Sequence, residues 1–185
     1  VGISFKASLV PFHMWAPDVY QGAPTPITGF MSTAAKAAAF ALFFRVLAIG
    51  FPMLHASWHS VLYVLAIATM TVGNLTAINQ TNIKRMLAFS SISHAGYLVI
   101  AILAAGRGVE QGANSIPFYL LAYTMMNMGA FGILAAMARK NQPNDTLSAF
   151  AGLAQKHPAL AAAMTICMLS LAGIPPTAGF IGKFY

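Results

Sequence analysis

Hydrophobic residues fill long stretches of this chain, and short segments rich in proline, glycine and polar residues separate them. A helix needs about 20 mostly apolar residues to span a hydrocarbon core of ~30 Å, and most of these stretches are that long. Runs such as Val99-Ile100-Ala101-Ile102-Leu103 lack the alternation of a β-barrel strand. The pattern predicts an all-α, polytopic transmembrane helix bundle, a single domain over residues 1–185. The predicted spans are 1–15 (truncated), 27–49, 58–80, 83–105, 116–138 and 159–185.

Charged residues are too few to cover a water-soluble surface. They make up 7% of the 185 residues, against 58% hydrophobic residues, whereas an ordinary soluble domain carries about 25% charged residues. The 10 Lys and Arg and 3 Asp and Glu give a net charge of +7. Because the cations are scattered among apolar stretches, they form no basic stripe for nucleic acid. We expect a multi-pass protein surrounded by the lipid bilayer that binds no nucleic acid.

Motifs for cofactors are missing from the sequence. It has no GxGxxG, no P-loop and no Cys/His pair at zinc-binding spacing, and its single cysteine, Cys167, lies in an apolar stretch. We therefore expect no nucleotide, redox cofactor or metal in this chain. The sequence begins at Val1 without an initiator Met and ends at Tyr185 within a membrane stretch. We also expect a fragment of a longer polypeptide.

Lys36 lies near the middle of the predicted span 27–49. A lysine at the bilayer centre costs about 2.5–3.5 kcal/mol on insertion scales, so it indicates a function or a partner. Thr28, Ser32 and Lys36 are spaced by four residues, which predicts one polar stripe on the helix. Two interpretations stay open: a structural lysine paired with a buried carboxylate, and a lysine in a hydrated interior that exchanges protons.

Two further lysines lie beside predicted helix breaks. Lys6 precedes Pro11 by about one turn, and Lys183 follows an interruption at residues 173–176 by about two turns. Proline removes a backbone hydrogen bond from a helix, and broken spans whose free carbonyls line a cavity mark ion sites in transporters. We expect discontinuous helices with both lysines in a proton path. An interfacial position is the alternative for Lys6.

His94 lies within the predicted span 83–105, with Ser90, Ser91 and Tyr97 on the same helix face. Histidine changes its charge near neutral pH, which suits a proton relay. A neutral histidine bonded to a serine is the alternative interpretation. The predicted proton-relay residues are therefore Lys6, Lys36, His94 and Lys183.

The acidic residues Asp18, Glu110 and Asp145 all fall in predicted connections. The predicted relay lysines therefore have no carboxylate partner in this sequence. Two lysines ~10 Å apart at an effective dielectric constant of ~20 repel by roughly 1.7 kcal/mol. Charging one lysine therefore favours discharging the next, so a row of such groups can pass protons laterally.

Three segments carry recognisable motifs: FKASLVPFHMWAPDVYQGAPTP at residues 5–26, KRMLAFSSISHAGY at 84–97 and AGIPPTAGFIGKFY at 172–185. They resemble the antiporter-like subunit N family of bacterial NADH–quinone oxidoreductase (respiratory complex I). The Pro-x-His-x-Trp-x-Pro-Asp pattern is shared with the wider antiporter family, and the DVYQG sequence that begins at Asp18 points to subunit N.

The resemblance implies an antiporter-like inverted-repeat fold of fourteen helices, of which this chain covers about the seventh to the twelfth. By motif match, Lys6 is the lysine of the broken seventh helix and Lys36 the lysine of the eighth. His94 falls at the relay position of the tenth helix, and Lys183 at the lysine of the broken twelfth. The glutamate that pairs with the seventh-helix lysine in this family belongs to a helix upstream of Val1.

The resemblance also implies the function of a proton-translocating membrane-arm subunit of NADH–quinone oxidoreductase in the bacterial inner membrane. Its partners would be the other membrane subunits of complex I. NADH, FMN, iron–sulfur clusters and quinone would be bound by other subunits, with no redox catalysis in this chain. The alternatives are a cation/proton antiporter subunit and a structural membrane anchor without its own proton path.

Overall fold

The computed structural model describes residues 1–138 and 145–184, and this part of the chain is helical with short connections. Its helices are α1 Gly2–Lys6, α2 Trp15–Gly22, α3 Thr25–Gly50, α4 His55–Ile78, α5 Ile83–Gly106, α6 Glu110–Met137, α7 Leu153–Lys156, α8 Pro158–Ala172 and α9 Ala178–Phe184. Single 3₁₀ turns lie at Pro52–Leu54 and Leu147–Phe150. The predicted all-α fold is confirmed.

Four of the described helices are long and apolar enough to cross a membrane. They are Thr25–Gly50, Ala56–Ile78, Ile83–Gly106 and Glu110–Met137. The first three lie over the predicted spans 27–49, 58–80 and 83–105. Helix α8 is apolar but shorter. The described part of the chain is thus the predicted bundle of apolar helices.

Helix α5 lies at the centre of the bundle, and most of its side chains are buried. Glycines bring α4 close to it. A Cβ on Gly73 would lie 2.7 Å from the amide nitrogen of Ser93, and a Cβ on Gly96 would lie 2.5 Å from the Met70 side chain. Small residues allow such close helix packing in membrane proteins. α4 and α5 are therefore closely packed.

The predicted first span, residues 1–15, is not one helix. α1 ends at Lys6, and the backbone is irregular up to the start of α2. Ser8 has a φ of 59°, and Pro11 lacks an amide hydrogen, so neither favours a continuing helix. The proline-rich segment predicted as a connection then forms α2, because Pro17 lies in the first turn, where the amide has no partner in the helix.

Helix α6 begins earlier than the predicted span 116–138. The proline at position 117 suggests a helix start, but Pro117 lies inside α6. Glu110, predicted in a connection, is the first residue of α6, where an acidic side chain suits the helix dipole.

The second break separates α8 from α9. α8 ends in a left-handed cap, with a φ of 82° at Gly173, and α9 begins at Ala178. Glycine adopts this conformation without a steric penalty. The interruption predicted at residues 173–176 falls in this gap. Tyr185, the end of the predicted span 159–185, lies outside the described residues.

Two ion pairs tie the start of α5 to neighbouring segments. Lys84 Nζ lies 3.2 Å from Asp145 Oδ2, and Arg85 Nη1 lies 2.5 Å from Asp18 Oδ1. The side chain of Asn82 caps α5 by accepting a hydrogen bond from the Arg85 amide. The prediction that Asp18 lies in a connection is wrong, because its segment forms α2. Lys84 is a buried lysine with a carboxylate partner that the sequence analysis did not identify.

Candidate functional site

Lys36 points into the interior of the bundle, and its partners come from other helices. It is 3% exposed. Its Nζ donates to the backbone carbonyl of Ser91 at 2.6 Å and to the Ser91 hydroxyl at 2.5 Å. The Tyr123 hydroxyl of α6 donates to the same Ser91 oxygen at 2.7 Å. Helices α3, α5 and α6 therefore meet at one buried serine.

The hydroxyls predicted to share a stripe with Lys36 bond elsewhere. Thr28 and Ser32 are fully buried and donate to backbone carbonyls of residues 20 and 29, at 3.1 and 2.9 Å. Buried Ser and Thr side chains commonly bond to nearby backbone carbonyls in this way. A π-helical segment, Met31–Ala35, precedes Lys36. Because its turn is wider than an α turn, the spacing of four no longer defines a single face.

Lys6 is the last residue of α1, at the first helix break, and it is exposed in this chain. A cavity of about 200 Å³ is lined by Lys6 and Lys36 together with Ser8 and Tyr20. The Ser8 hydroxyl is buried and has no hydrogen-bond partner among the described residues. A cavity of this volume has room for several water molecules, each of which occupies ~30 Å³ in the liquid. Lys6 and Lys36 thus face one cavity.

His94 lies one turn beyond Ser91 on α5, and tyrosine rings surround it. Its Nδ1 lies 2.5 Å from the hydroxyl of Tyr119. The ring also lies near the carbonyl of Leu171, close to the end of α8, and both residues line one cavity. The Tyr123 ring lies 5.2 Å away, centroid to centroid. His94 is therefore bonded to α6 and lies beside the end of α8, while the predicted neighbour Ser91 bonds to Lys36.

Lys183, on α9, reaches back across the second break to the end of α8. Its Nζ donates to the carbonyls of Leu171 at 2.9 Å and Ala172 at 3.1 Å, and it lies 5.0 Å from the centre of the Tyr97 ring. The C-terminal end of a helix carries partial negative charge, which favours a cation there. Gly173 leaves space for this contact, since a Cβ at that position would lie 3.2 Å from Nζ.

The Leu171 carbonyl accepts a hydrogen bond from Lys183 and lies near the His94 ring. Both side chains line a cavity of about 460 Å³ between α4, α5 and α8. Lys183 and Tyr97 also line a neighbouring cavity of about 270 Å³. Contacts therefore lead from one predicted residue to the next across the bundle. In order, the groups are Lys36, Ser91, Tyr123, His94, the Leu171 carbonyl and Lys183.

The sequence analysis missed the polar side of α6. Ser115, Tyr119, Tyr123 and Asn127 are all buried, and their spacing of four residues places them on one helix face. This spacing within an apolar stretch was the available signal. The Asn127 amide nitrogen has no hydrogen-bond partner among the described residues.

The oxygens that bind Lys36 and Lys183 are uncharged. They are one serine hydroxyl and three backbone carbonyls. Asp18 and Asp145 instead pair with cations at the start of α5. Within residues 1–138 and 145–184, no group of three or more His, Cys, Asp or Glu side chains is placed to hold a metal ion.

Comparison with known proteins relates this arrangement to membrane subunits. The family described as NADH:quinone oxidoreductase/Mrp antiporter, TM, matches residues 1–185. A NADH-quinone oxidoreductase subunit N from Trichlorobacter lovleyi is 55% identical over 184 residues, which cover 100% of this chain and 37% of that protein. The chain thus spans little more than a third of the length of this curated relative.

Two solved structures of membrane complexes contain chains with the same fold. A chain of respiratory complex I from Thermus thermophilus with bound aureothin is 44% identical, with a TM-score of 0.83, over 99% of this chain and 39% of that chain. A chain of the Mrp complex from Dietzia sp. DQ12-45-1b is 27% identical, also with a TM-score of 0.83, over 98% of this chain and 33% of that chain.

Proposed function

This chain belongs to the NADH:quinone oxidoreductase/Mrp antiporter transmembrane family, and on this premise we propose that it is part of a proton-translocating membrane-arm subunit of a bacterial NADH–quinone oxidoreductase. The observation that carries the proposal is the buried Lys36, bonded to Ser91 at 2.5 Å and linked by successive contacts to Lys183. Ionisable groups at membrane depth are costly and mark ion or proton pathways. The 55% identity to a subunit N supports this branch of the family.

The proposed proton-exchanging groups are Lys6, Lys36, His94 and Lys183. Each lysine binds a proton as an ammonium group and releases it when a like charge approaches, and oxygen acceptors hold the ammonium groups of Lys36 and Lys183. The Leu171 carbonyl lies between the last two groups, because Lys183 donates to it and the His94 ring lies near it. A proton arriving on His94 attracts this oxygen and repels the Lys183 ammonium. Proton release from Lys183 is favoured as a result.

Under this proposal, no redox step takes place in this chain. NADH, FMN, iron–sulfur clusters and quinone are bound by other subunits, and their chemistry drives proton movement through contacts between membrane subunits. The bacterial relatives support a multi-pass position in the bacterial inner membrane.

A cation/proton antiporter subunit is the second candidate function. The family description includes Mrp antiporters, and the Mrp complex from Dietzia sp. has the same TM-score as the complex I chain. The lower identity of 27% to the Mrp chain favours the oxidoreductase branch. Sodium-dependent proton movement in liposomes would support the antiporter instead.

The substitution Lys36→Ala in the full-length subunit of the intact complex tests the proposal. We expect NADH-driven proton uptake by liposomes to fall at least about tenfold, since positioned proton-transfer groups contribute ~10²–10⁴-fold to rates. Lys156→Ala, which removes an exposed lysine from α7, is the matched control. Unchanged pumping by the Lys36 variant would reject the relay and favour a structural membrane anchor.

A further inference from the structure

We propose that the hydroxyl of Ser91 carries protons between Lys36 and the tyrosines beside His94, with the hydroxyl of Tyr123 as its partner. This inference rests on the proposed function and adds two residues to it. Ser91 is the one described residue bonded to both Lys36 and a tyrosine that contacts the His94 ring. It therefore occupies the junction between the two ionisable groups.

The hydrogen bonds at Ser91 determine where its own proton can go. A serine hydroxyl accepts two hydrogen bonds and donates one. Lys36 and Tyr123 fill both acceptor positions, at 2.5 and 2.7 Å. Ser91 is 2% exposed, so its proton must go to another buried group rather than to bulk solvent. The side chain of Tyr20 lies close to Ser91.

Tyr20 extends the junction towards the first helix break. Its side chain lines the cavity of about 200 Å³ that also contains Lys6 and the unpartnered hydroxyl of Ser8. Ser91 thus lies between this cavity on one side and Tyr123 on the other.

Proton transfer through this junction conserves charge at the serine. The N–H bond of Lys36 breaks as its proton passes to Ser91 Oγ, and the original O–H bond of Ser91 breaks as its proton leaves. Once the Tyr123 hydroxyl has turned, that proton passes to Tyr123, which releases its own proton to Tyr119. The Tyr119 hydroxyl then passes its proton to His94 Nδ1, the ring nitrogen that it contacts. Lys36 ends as a neutral amine, all three hydroxyls end neutral, and the positive charge ends on His94. No group is oxidised or reduced.

The structure allows proton transfer by Ser91 to be separated from its role in holding Lys36. The Lys36 ammonium also bonds to the Ser91 backbone carbonyl, at 2.6 Å. Deleting the side-chain hydroxyl therefore leaves one anchor for Lys36 in place. Loss of pumping in a complex that still assembles would report the missing hydroxyl.

The experiment compares Ser91→Ala, Ser91→Thr and Tyr123→Phe in the intact complex, reconstituted in liposomes. We expect Ser91→Ala and Tyr123→Phe each to lower NADH-driven proton uptake at least about tenfold, since positioned proton-transfer groups contribute ~10²–10⁴-fold to rates. Ser91→Thr retains a hydroxyl and should retain pumping. Assembly is measured on native gels, so that reduced pumping is compared at equal amounts of complex.

Two matched variants serve as controls. Ser32→Ala deletes a fully buried hydroxyl that bonds to the backbone of its own helix. Tyr63→Phe deletes the hydroxyl of an exposed tyrosine on α4. Both should pump normally.

The outcomes separate this inference from the proposed function. Loss of pumping in Lys36→Ala with full pumping in Ser91→Ala or Tyr123→Phe would overturn the inference and leave the function standing. Equal loss in Ser91→Ala and Ser91→Thr would also overturn it, because the hydroxyl would then not be the group that matters. Full pumping in Lys36→Ala would reject both.

Discussion

Lys36 and Lys183 are both lysines in apolar sequence, yet the protein binds them in different ways. Lys36 is enclosed between three helices, and one of its two acceptors is a side-chain hydroxyl from another helix. Lys183 is partly buried and binds the backbone carbonyls at the end of α8, beside an aromatic ring. The Lys36 site therefore depends largely on which amino acid supplies the side-chain acceptor. The Lys183 site depends on where the helix α8 ends.

The two sites differ in the substitutions that can remove the acceptors of the lysine. A single substitution can remove the Ser91 hydroxyl, whereas no side-chain substitution removes the carbonyls that hold Lys183. Lys84 provides a third case, because it pairs with the carboxylate of Asp145. The acceptors of Lys36 and Lys183, in contrast, are uncharged oxygens.

Replacing each lysine with arginine should reveal the largest difference between the two sites. The planar guanidinium is larger than an ammonium group and does not reproduce its contacts, and overpacking a buried site costs about 1–3 kcal/mol. Lys36 is buried and adjoins one cavity of about 200 Å³, so we expect Lys36→Arg to lower the amount of assembled complex on native gels about fivefold or more. Lys183 is partly buried beside two larger cavities, so Lys183→Arg should assemble normally. Equal assembly of the two variants would show that the sites do not differ in this way.

Gly173→Ala should have a smaller effect, confined to the site at the helix break. A φ of 82° disfavours alanine by about 1–2 kcal/mol, and the added Cβ would lie 3.0 Å from the Lys183 side chain. We expect the half-life of heat inactivation of the complex to fall about fivefold, the factor that corresponds to ~1 kcal/mol. Gly132→Ala, at an open position of α6, should leave the half-life unchanged or longer. An equal decrease in both variants would exclude a special role for the cap.

The ring of Tyr97 should contribute least. A cation–π contact contributes about 0.5–1 kcal/mol, so Tyr97→Leu should slow proton uptake about two- to fivefold. Tyr97→Phe keeps the ring 5.0 Å from Lys183 and should pump normally. If Tyr97→Phe were as slow as Tyr97→Leu, the hydroxyl rather than the ring would be responsible. The measurement is the initial rate of proton uptake at equal amounts of complex.

The sequence was sufficient to predict the helical membrane bundle, because length and apolar character alone decide it. It also singled out Lys36, His94 and Lys183, since an ionisable group in an apolar stretch stands out regardless of its neighbours. The roles of these residues remain proposals. The resemblance to subunit N additionally predicted the family, which the comparisons confirm.

The partners of these residues could not be predicted in the same way. The face of α6 that packs against α5 is decided by tertiary structure. The sequence pattern of α5 therefore did not predict Tyr119 and Tyr123 as partners of His94 and Ser91. The stripe of Thr28 and Ser32 was misleading, because the π segment before Lys36 changes the angle between successive side chains. The exact position of the first break depended on the backbone near Ser8 rather than on the prolines alone.

Because the oxygen of Leu171 belongs to the backbone, the amino acid at this position can change during evolution without removing the acceptor. Any residue at position 171 supplies the same atom, provided that the chain still stops its helix one residue later. The meeting point of His94 and Lys183 is therefore inherited through backbone shape, and a comparison of residue identities alone would overlook it.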